Sequence, residues 1–226
     1  RGVGAMVKRH KATILLGAPS FYALYTRGCA TEQFASLRLA IVGGQKLMPC
    51  AAREFEARFG LPLSEGFGAT ELAPVVSVNS EDMILDGVHH PARREGSVGR
   101  PLPGLAVRIL DPDAEGEAPE GAVGVVAIKG PSVMRGYLGD PEATRDVLRD
   151  GWYLTADLGA LDDKGFLYIR DRLARFSKIA GEMVSHAAVE HALHEAAAGT
   201  PNAQELPPRR FAVVSAEDAV RGEKLV

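Results

Sequence analysis

The sequence predicts an α/β protein in which a parallel sheet comes first, a β-rich part follows and a small α+β unit begins at the end. Short apolar runs alternate with helical patterns as far as Val75, which is typical of parallel strands joined by crossover helices. Closely spaced strand and turn signals fill the middle of the chain. We place the boundaries at residues 1–90, 91–172 and 173–226.

The first part contains three predicted strands. The predicted strands are residues 12–16, 37–42 and 61–65, and the helices are the end of one at 1–10, one at 20–27 and one between Pro49 and Gly60. Proline in the first turn and glycine past the end are typical helix boundaries. The run 12–16 is continuously apolar, which predicts a strand buried on both faces.

A turn of small residues follows each of these strands, at 17–19, 43–45 and 66–71. Parallel strands place their carboxyl ends on one edge, where open α/β sheets bind ligands. Each glycine could also merely end a strand, but three such turns on one edge favour a binding site.

The stretch from Gly66 to Glu71 carries the strongest chemical signal. Gly66 and Gly68 predict a turn that another molecule can approach closely. Thr70 offers a hydroxyl to phosphate oxygens, and the Glu71 carboxylate suits Mg²⁺. The ring of Phe67 could lie against a purine. Alone this pattern is weak, because Thr70 and Glu71 could simply begin another segment.

The middle of the chain predicts mostly strands. Residues 79–95 suggest a polar loop, in which His89 and His90 bind no metal. Expected strands are 105–110 and 123–129, with a loop at 131–137, a helix from Asp140 to about 150–151, and a hairpin formed by 152–161 and 166–170. Alternation places Asp157 on a polar or ligand-facing side of its strand. There it could accept hydrogen bonds from both hydroxyls of a ribose, or it could be an ordinary exposed aspartate.

In the last part, residues 178–184 lead into a predicted helix capped by Ser185. The expected buried stripe of this helix is Val189, Leu193 and Ala196, and the expected surface histidines are His186, His191 and His194. A strand is predicted at 211–214.

Bulk properties exclude some classes of function. A net charge of −3 gives no electrostatic case for nucleic-acid binding. Cys29 and Cys50 have no paired spacing, which favours a reducing compartment. No apolar run approaches the roughly 20 residues that span a bilayer. Since Arg1 falls within a helical pattern and Val226 within a strand, we expect a piece of a longer enzyme.

Four motifs in this order resemble the adenylate-forming (AMP-binding) acyl ligase superfamily. The motifs are 66–71, 130–137, 151–158 and 171–182. In detail, 65–77 and 175–185 look most similar to bacterial acyl-[acyl-carrier-protein] synthetases, including 2-acylglycerophosphoethanolamine acyltransferases. The resemblance implies that 1–90 belongs to the large domain, that 91–172 is a distorted barrel completing the nucleotide site, and that 173–226 begins a mobile C-terminal domain.

The implied activity is a two-step ligation. A long-chain fatty acid reacts with MgATP to give an acyl-adenylate, and a thiol of acyl-carrier protein or coenzyme A then takes the acyl group. The resemblance also implies a cytoplasmic protein that is peripheral to, or fused with, an inner-membrane acyltransferase. Any association with the membrane would occur through regions outside this segment. One alternative is a carboxylate–CoA ligase, and an alternative of another class is a nucleotide-binding segment without catalysis.

The resemblance also implies roles for individual residues. Thr70 and Glu71 would be catalytic, with Glu71 holding Mg²⁺. The implied ATP/AMP-binding residues are Gly43, Gly44, Gln45, Gly66, Phe67, Gly68, Asp157 and Arg172. The implied thiol-tunnel loop contains Lys178, Gly181 and Glu182, and the implied hinge is Ala174.

The sequence departs from the family pattern in several places. The phosphate loop and the C-terminal catalytic lysine are not in this chain, so the isolated segment is expected to be inactive. Leu154 replaces a usual basic residue, Ala156 replaces a usual glycine, and Ala174 replaces the usual Asp or Lys of the hinge. Residues 80–95 suggest an insertion.

Overall fold

The computed structural model describes residues 2–112, 114, 116–179, 182–198, 211–218 and 222–226. The helices are α1 Val3–His10, α2 Pro19–Gly28, α3 Pro49–Phe59, α4 Pro141–Val147 and α5 His186–Ala198. The strands are β1 Ile14–Gly17, β2 Leu39–Val42, β3 Leu63–Gly68, β4 Val75–Val78, β5 Met83–Leu85, β6 Val88–His90, β7 Arg100–Pro101, β8 Ala106–Leu110, β9 Gly124–Lys129, β10 Leu148–Arg149, β11 Trp152–Leu161, β12 Leu167–Arg172, β13 Phe176–Ile179, β14 Glu182–Ser185, β15 Ser215–Asp218 and β16 Gly222–Leu225.

The first sheet is mixed, in the order β1-β2-β3-β4-β7. The first three strands are parallel, as predicted, whereas β4 and β7 join in antiparallel orientation. Tyr22 of α2 is buried, and its hydroxyl donates to the carbonyl oxygens of Leu15 at 2.7 Å and Ile41 at 2.9 Å. This side chain therefore fixes α2 against both β1 and β2.

The prediction that the first strand is buried on both faces is wrong. Ile14 is 51% exposed and Leu16 is 64% exposed, while Leu15 packs against the core on the other face. The reason is position, since β1 lies at the edge of the sheet. A continuous apolar run shows that a strand can be buried, but it does not show what covers each face.

The second sheet is antiparallel, with β11 at its centre. Its order is β10-β11-β9-β8, and β12 pairs with the later half of β11, so that the described strands form an open sheet. Leu72 and Val76 of the first part pack in one core with Val126, Tyr153 and Leu167 of this sheet. The shared core holds the glycine-rich segment of the first sheet against β11.

Helix boundaries follow the sequence signals closely. Gly60 caps α3 with a left-handed φ of 67°, and the Asp140 carboxylate accepts a hydrogen bond from the Ala143 N–H at 2.9 Å at the start of α4. Helix α4 ends at Val147, earlier than predicted. The predicted stop at Asp150 and Gly151 is instead the positive-φ turn between β10 and β11.

The prediction that residues 79–95 form a polar loop is wrong. They contain the hairpin β5–β6, with positive φ at Asp86 and Gly87 in its turn. Asp-Gly between short apolar runs is a strong hairpin signal, whereas the polar composition of this segment favours a loop. His89 Nε2 lies 3.0 Å from Asp82 Oδ2.

The last part forms a sheet of order β14-β13-β16-β15 with α5. Ser185 caps α5, accepting from the Ala188 N–H at 3.3 Å. The predicted burial of Leu193 is wrong, because this residue is 39% exposed and lines an open cavity of about 620 Å³. His186 is not a surface residue, since it is buried and hydrogen-bonded to Ser177 at 2.7 Å.

Two other expectations concern this part. Residues 211–214 are not a strand, although Val214 and Val226 exchange two backbone hydrogen bonds. The side chains of His191 and His194 lie outside the described residues. In the described part of the chain, no helix is long and apolar enough to cross a membrane.

Candidate nucleotide site

The carboxyl edge of the parallel strands brings three glycines together. The Gly43 N–H donates to the Gly17 carbonyl oxygen at 3.2 Å, and a Cβ on Gly43 would lie 3.3 Å from the carbonyl oxygen of Gly66. Gly44 has a φ of 78°, and both Gly44 and Gln45 are exposed beside it. The predicted turns at 17–19, 43–45 and 66–71 therefore begin side by side, with free access from one side.

The Gly66–Gly68 segment is a strand rather than the predicted turn. It pairs with β4, and neither glycine has a positive φ. The glycines serve close packing instead, because a Cβ on Gly68 would lie 1.8 Å from the Pro74 carbonyl oxygen. Phe67 is partly buried and packs against the shared core.

The turn after this strand presents the two residues predicted to be catalytic. Thr70–Leu72 form one turn of 3₁₀ helix, and Leu72 is fully buried in the shared core. Thr70 is exposed and Glu71 is half-buried. The buried leucine therefore anchors the turn and leaves the hydroxyl and the carboxylate at the surface.

Two tyrosines surround the Glu71 carboxylate. The Tyr137 hydroxyl donates to Glu71 Oε1 at 2.9 Å, and Tyr153 of β11 lies beside both groups. Burial raises the pKa of Tyr153, and its contacts with Tyr137 and Glu71 raise it further. Burial and the Glu71 hydrogen bond likewise raise the pKa of Tyr137. Both phenols therefore stay protonated and act as neutral donors.

The structure also brings Asp157 and Arg172 together. They are register partners on β11 and β12, and Arg172 Nε lies 3.1 Å from Asp157 Oδ1. Asp157 is only 9% exposed, whereas the Arg172 side chain is 68% exposed. Burial raises the pKa of Asp157, an effect that Arg172 partly opposes and Asp171 reinforces. Asp157 is thus a buried carboxylate, and the alternative of an ordinary exposed aspartate is wrong.

Strand β11 connects these two groups of residues. Tyr153, Thr155 and Asp157 alternate onto one buried face, while Leu154 and Ala156 are more exposed. At a rise of roughly 3.3 Å per residue, Tyr153 and Asp157 lie at most about 13 Å apart along the strand, whose pairing with β9 is irregular between Leu154 and Leu158. Glu71, beside Tyr153, and Asp157 therefore stand at two ends of one short stretch of strand.

The surroundings of Glu71 fit a magnesium ion. In the described part of the chain, no ion pair involves its carboxylate, and no cluster of three or more metal-ligating side chains occurs. Mg²⁺ is commonly held by one or two carboxylates together with substrate phosphates and water. One partly exposed glutamate without a cationic partner is consistent with that pattern.

The remaining predicted residues lie near the last sheet. Ala174 is exposed in a 3₁₀ turn, Leu173–Arg175, that joins β12 to β13. Lys178 is on β13 and Glu182 on β14, and their side chains lie outside the described residues, as does Gly181. Lys178 and Glu182 are thus in the last sheet and not in the sheet of β1–β4.

Two carboxylate contacts were missed from the sequence. The first involves Tyr137, which lies in the predicted loop 131–137 and in the motif 130–137, although neither pattern assigns it a role. The second is the hydrogen bond that the Glu65 carboxylate accepts from the Leu47 N–H. Burial raises the pKa of Glu65, while this hydrogen bond and the charges of Lys46 and Arg93 oppose the shift. Neither contact has a local sequence signal, since each depends on long-range packing.

Comparisons with known proteins identify the family of this chain. The family model of AMP-binding enzymes matches residues 3–138. A feruloyl-CoA synthase from an Amycolatopsis species is 35% identical over 191 residues, covering 83% of this chain and 37% of that protein. A long-chain-fatty-acid–CoA ligase from Yersinia pestis is 36% identical over 214 residues, covering 89% and 36%. The chain therefore belongs to the AMP-binding enzyme family, and it spans little more than a third of these relatives.

Solved structures place the fold in the adenylate-forming superfamily. ATP-bound MatB from Rhodopseudomonas palustris matches with a TM-score of 0.76 at 29% identity, covering 100% of this chain and 42% of that one. The amide bond synthetase McbA from Marinactinospora thermotolerans matches with a TM-score of 0.77 at 34% identity, covering 98% and 43%. Both alignments extend over nearly the whole chain, including its last sheet.

Proposed function

We propose that the protein carrying this chain is an AMP-forming acid–thiol ligase that activates a fatty acid. The carboxylate oxygen of the acid attacks the α-phosphorus of ATP, and the bond to pyrophosphate breaks. The thiol sulfur then attacks the acyl carbonyl of the adenylate, loses its proton, and releases AMP. The isolated chain, which lacks the phosphate loop and lysine of the family pattern, is expected to bind nucleotide without completing this reaction.

The placement of Asp157 carries the proposal. A carboxylate that is buried on β11, and only partly compensated by a largely exposed Arg172, is costly to the fold. Such a group is typical of a site that binds a polar ligand. Two ribose hydroxyls would give it the hydrogen-bond donors that it needs.

The other residues act at the phosphate end. Thr70 is exposed and offers its hydroxyl to a phosphate oxygen, and Glu71 would hold Mg²⁺. When bound, the ion would neutralise charge on the phosphates during phosphoryl transfer. Gly43, Gly44 and Gln45 would line the adenine side, where the absence of side chains on the glycines permits close approach.

The thiol acceptor has two candidates. The names of the relatives support coenzyme A, because they are a feruloyl-CoA synthase and long-chain-fatty-acid–CoA ligases. The resemblance of 65–77 and 175–185 to carrier-protein synthetases supports acyl-carrier protein. Incubating the full-length protein with acid, ATP and either thiol, and quantifying each acyl thioester, decides between them.

The test of the activity is fatty-acid-dependent ATP–pyrophosphate exchange by the full-length protein against a panel of carboxylic acids. In parallel, Asp157→Ala should weaken AMP binding at least tenfold by calorimetry, because the ribose loses a charge-assisted partner. Asp163→Ala, a change of an exposed carboxylate in the β11–β12 turn, is the matched control. AMP binding without any exchange activity would support the non-catalytic alternative, and unchanged AMP affinity in Asp157→Ala would remove the assigned site.

A further inference from the structure

Glu71 is held at two points by one short segment of chain. Its carbonyl oxygen accepts a hydrogen bond from the Met134 N–H at 2.8 Å. Its carboxylate accepts one from the Tyr137 hydroxyl at 2.9 Å. The backbone and the side chain of the glutamate are therefore both fixed by residues 134–137.

Helix α4 in turn fixes this segment. The Tyr137 N–H donates to Thr144 Oγ1 at 2.9 Å, and the Thr144 hydroxyl donates to the Asp140 carbonyl oxygen at 2.7 Å. Gly136 has a φ of 147°, and a Cβ there would lie 2.8 Å from the Thr144 side chain. The tyrosine thus reaches Glu71 from a backbone position that the helix determines.

A phenol is well suited to orienting a carboxylate that must bind a cation. It occupies one oxygen without neutralising the charge, whereas a lysine or arginine partner would compete with the metal. In the part of the chain that the structure describes, Glu71 has no such cationic partner within ion-pair distance. Donors that orient a metal-binding side chain commonly raise metal affinity by about 10- to 100-fold.

We propose that Tyr137 is a positioning residue that holds the Glu71 carboxylate ready for the metal of the nucleotide. This inference rests on the function proposed above. The role assigned to Tyr137 is exerted through its hydrogen bond to Glu71. Tyr153 of β11 lies beside both groups, so the second sheet also borders the carboxylate.

The test compares Tyr137→Phe with wild type in the full-length protein. We expect the Mg²⁺ concentration for half-maximal ATP–pyrophosphate exchange to rise about tenfold, with the KM for the carboxylic acid unchanged. Direct binding of Mn²⁺ with ATP, followed by electron paramagnetic resonance, should weaken by a similar factor. Because Tyr137 is 36% exposed, the variant should keep the wild-type melting temperature.

Tyr168→Phe is the matched control. Tyr168 also donates to a carboxylate, Asp162 Oδ2 at 3.2 Å, but in the β11–β12 hairpin, and its loss should leave the metal dependence unchanged. If Glu71→Gln alters the metal requirement and Tyr137→Phe does not, the inference is overturned while the proposed function stands. Wild-type exchange that needs no metal would overturn the assigned role of Glu71 and the inference with it.

Discussion

A single buried carboxylate shows how binding and stability oppose each other at the scale of the residue. Asp157 has one polar side-chain partner in the described part of the chain, the exposed Arg172, at 3.1 Å. Because burial raises the pKa of Asp157, the folded chain holds its proton more tightly than the unfolded chain does. The ionised form therefore destabilises the fold at neutral pH.

Asp157→Asn should accordingly stabilise the chain while weakening AMP binding. Asp157 contributes most to the stability of the folded wild-type chain below the ordinary aspartate pKa. This contribution is lost as pH rises through the raised pKa of the folded state. The stability advantage of Asp157→Asn should therefore be larger at neutral pH than in acid. A gain of about 1 kcal/mol corresponds to roughly 2–4 °C in melting temperature for a chain of this size. Calorimetry at several pH values checks this, and a variant that is less stable at neutral pH would contradict it.

Residue-scale prediction from the sequence succeeded where chemistry is local and failed where packing decides. The turn predicted at Gly66 and Gly68 is wrong, because both glycines pair with β4 as part of a strand. Position 68 requires glycine because the Pro74 carbonyl oxygen leaves no room for a Cβ. Pro74 is six residues away, and the 3₁₀ turn brings it back to Gly68. The burial of Asp157 was not predictable from the alternating pattern, because it depends on the elements that pack against β11.

At the scale of the element, boundaries were predictable wherever a cap residue sits at the end. Asp140 and Gly60 mark α4 and α3 as expected, because capping satisfies free backbone groups at helix ends. Helix α5 shows the limit, since its start at Ser185 was correct but its buried face was not. Which face of a helix is covered depends on neighbouring elements that a local pattern does not specify.

The junction between β12 and α5 provides an element-scale prediction. Arg175 lies between them, with Nη2 at 2.6 Å from Glu190 Oε2 and Nε at 3.6 Å from Asp171 Oδ2. Arg175→Ala should lower stability by about 1 kcal/mol or less, because the side chain is 43% exposed and solvent screens the pairs. Arg170→Ala, which removes an arginine stacked on the Tyr168 ring, is the control.

The loss of stability in Arg175→Ala should depend on pH in one direction. Burial would raise the pKa of Glu190, but hydrogen bonds from the Val213 N–H and from Arg175 outweigh it and lower the pKa. The stability from this carboxylate is present above the ordinary glutamate pKa and is lost as pH falls through the lowered value. The difference between wild type and Arg175→Ala should therefore shrink in acid, as thermal melts can measure. A difference that grows in acid would contradict the assignment.

At the scale of the whole molecule, the order of strands and helices predicted the α/β class, and four motifs together predicted the family. The mixed character of the first sheet was not predictable, because β4 reverses direction through the 3₁₀ turn at Thr70–Leu72. That reversal is also what brings the site together, since it packs Leu72 against the second sheet. The joining of sheets that creates the site is thus a long-range property.

The edge of the first sheet gives the last prediction. Ile14 and Leu16 are more than half exposed on one face of β1, which is an edge strand, and exposed apolar edge strands promote association. The isolated 226-residue chain should therefore self-associate and bind a hydrophobic dye. Replacing both residues with threonine should keep the strand and increase the monomer fraction, as light scattering after size exclusion would show. Leu138→Ser, at a fully exposed loop position, should have no such effect, and a wild-type chain that stays monomeric at high concentration would contradict the prediction.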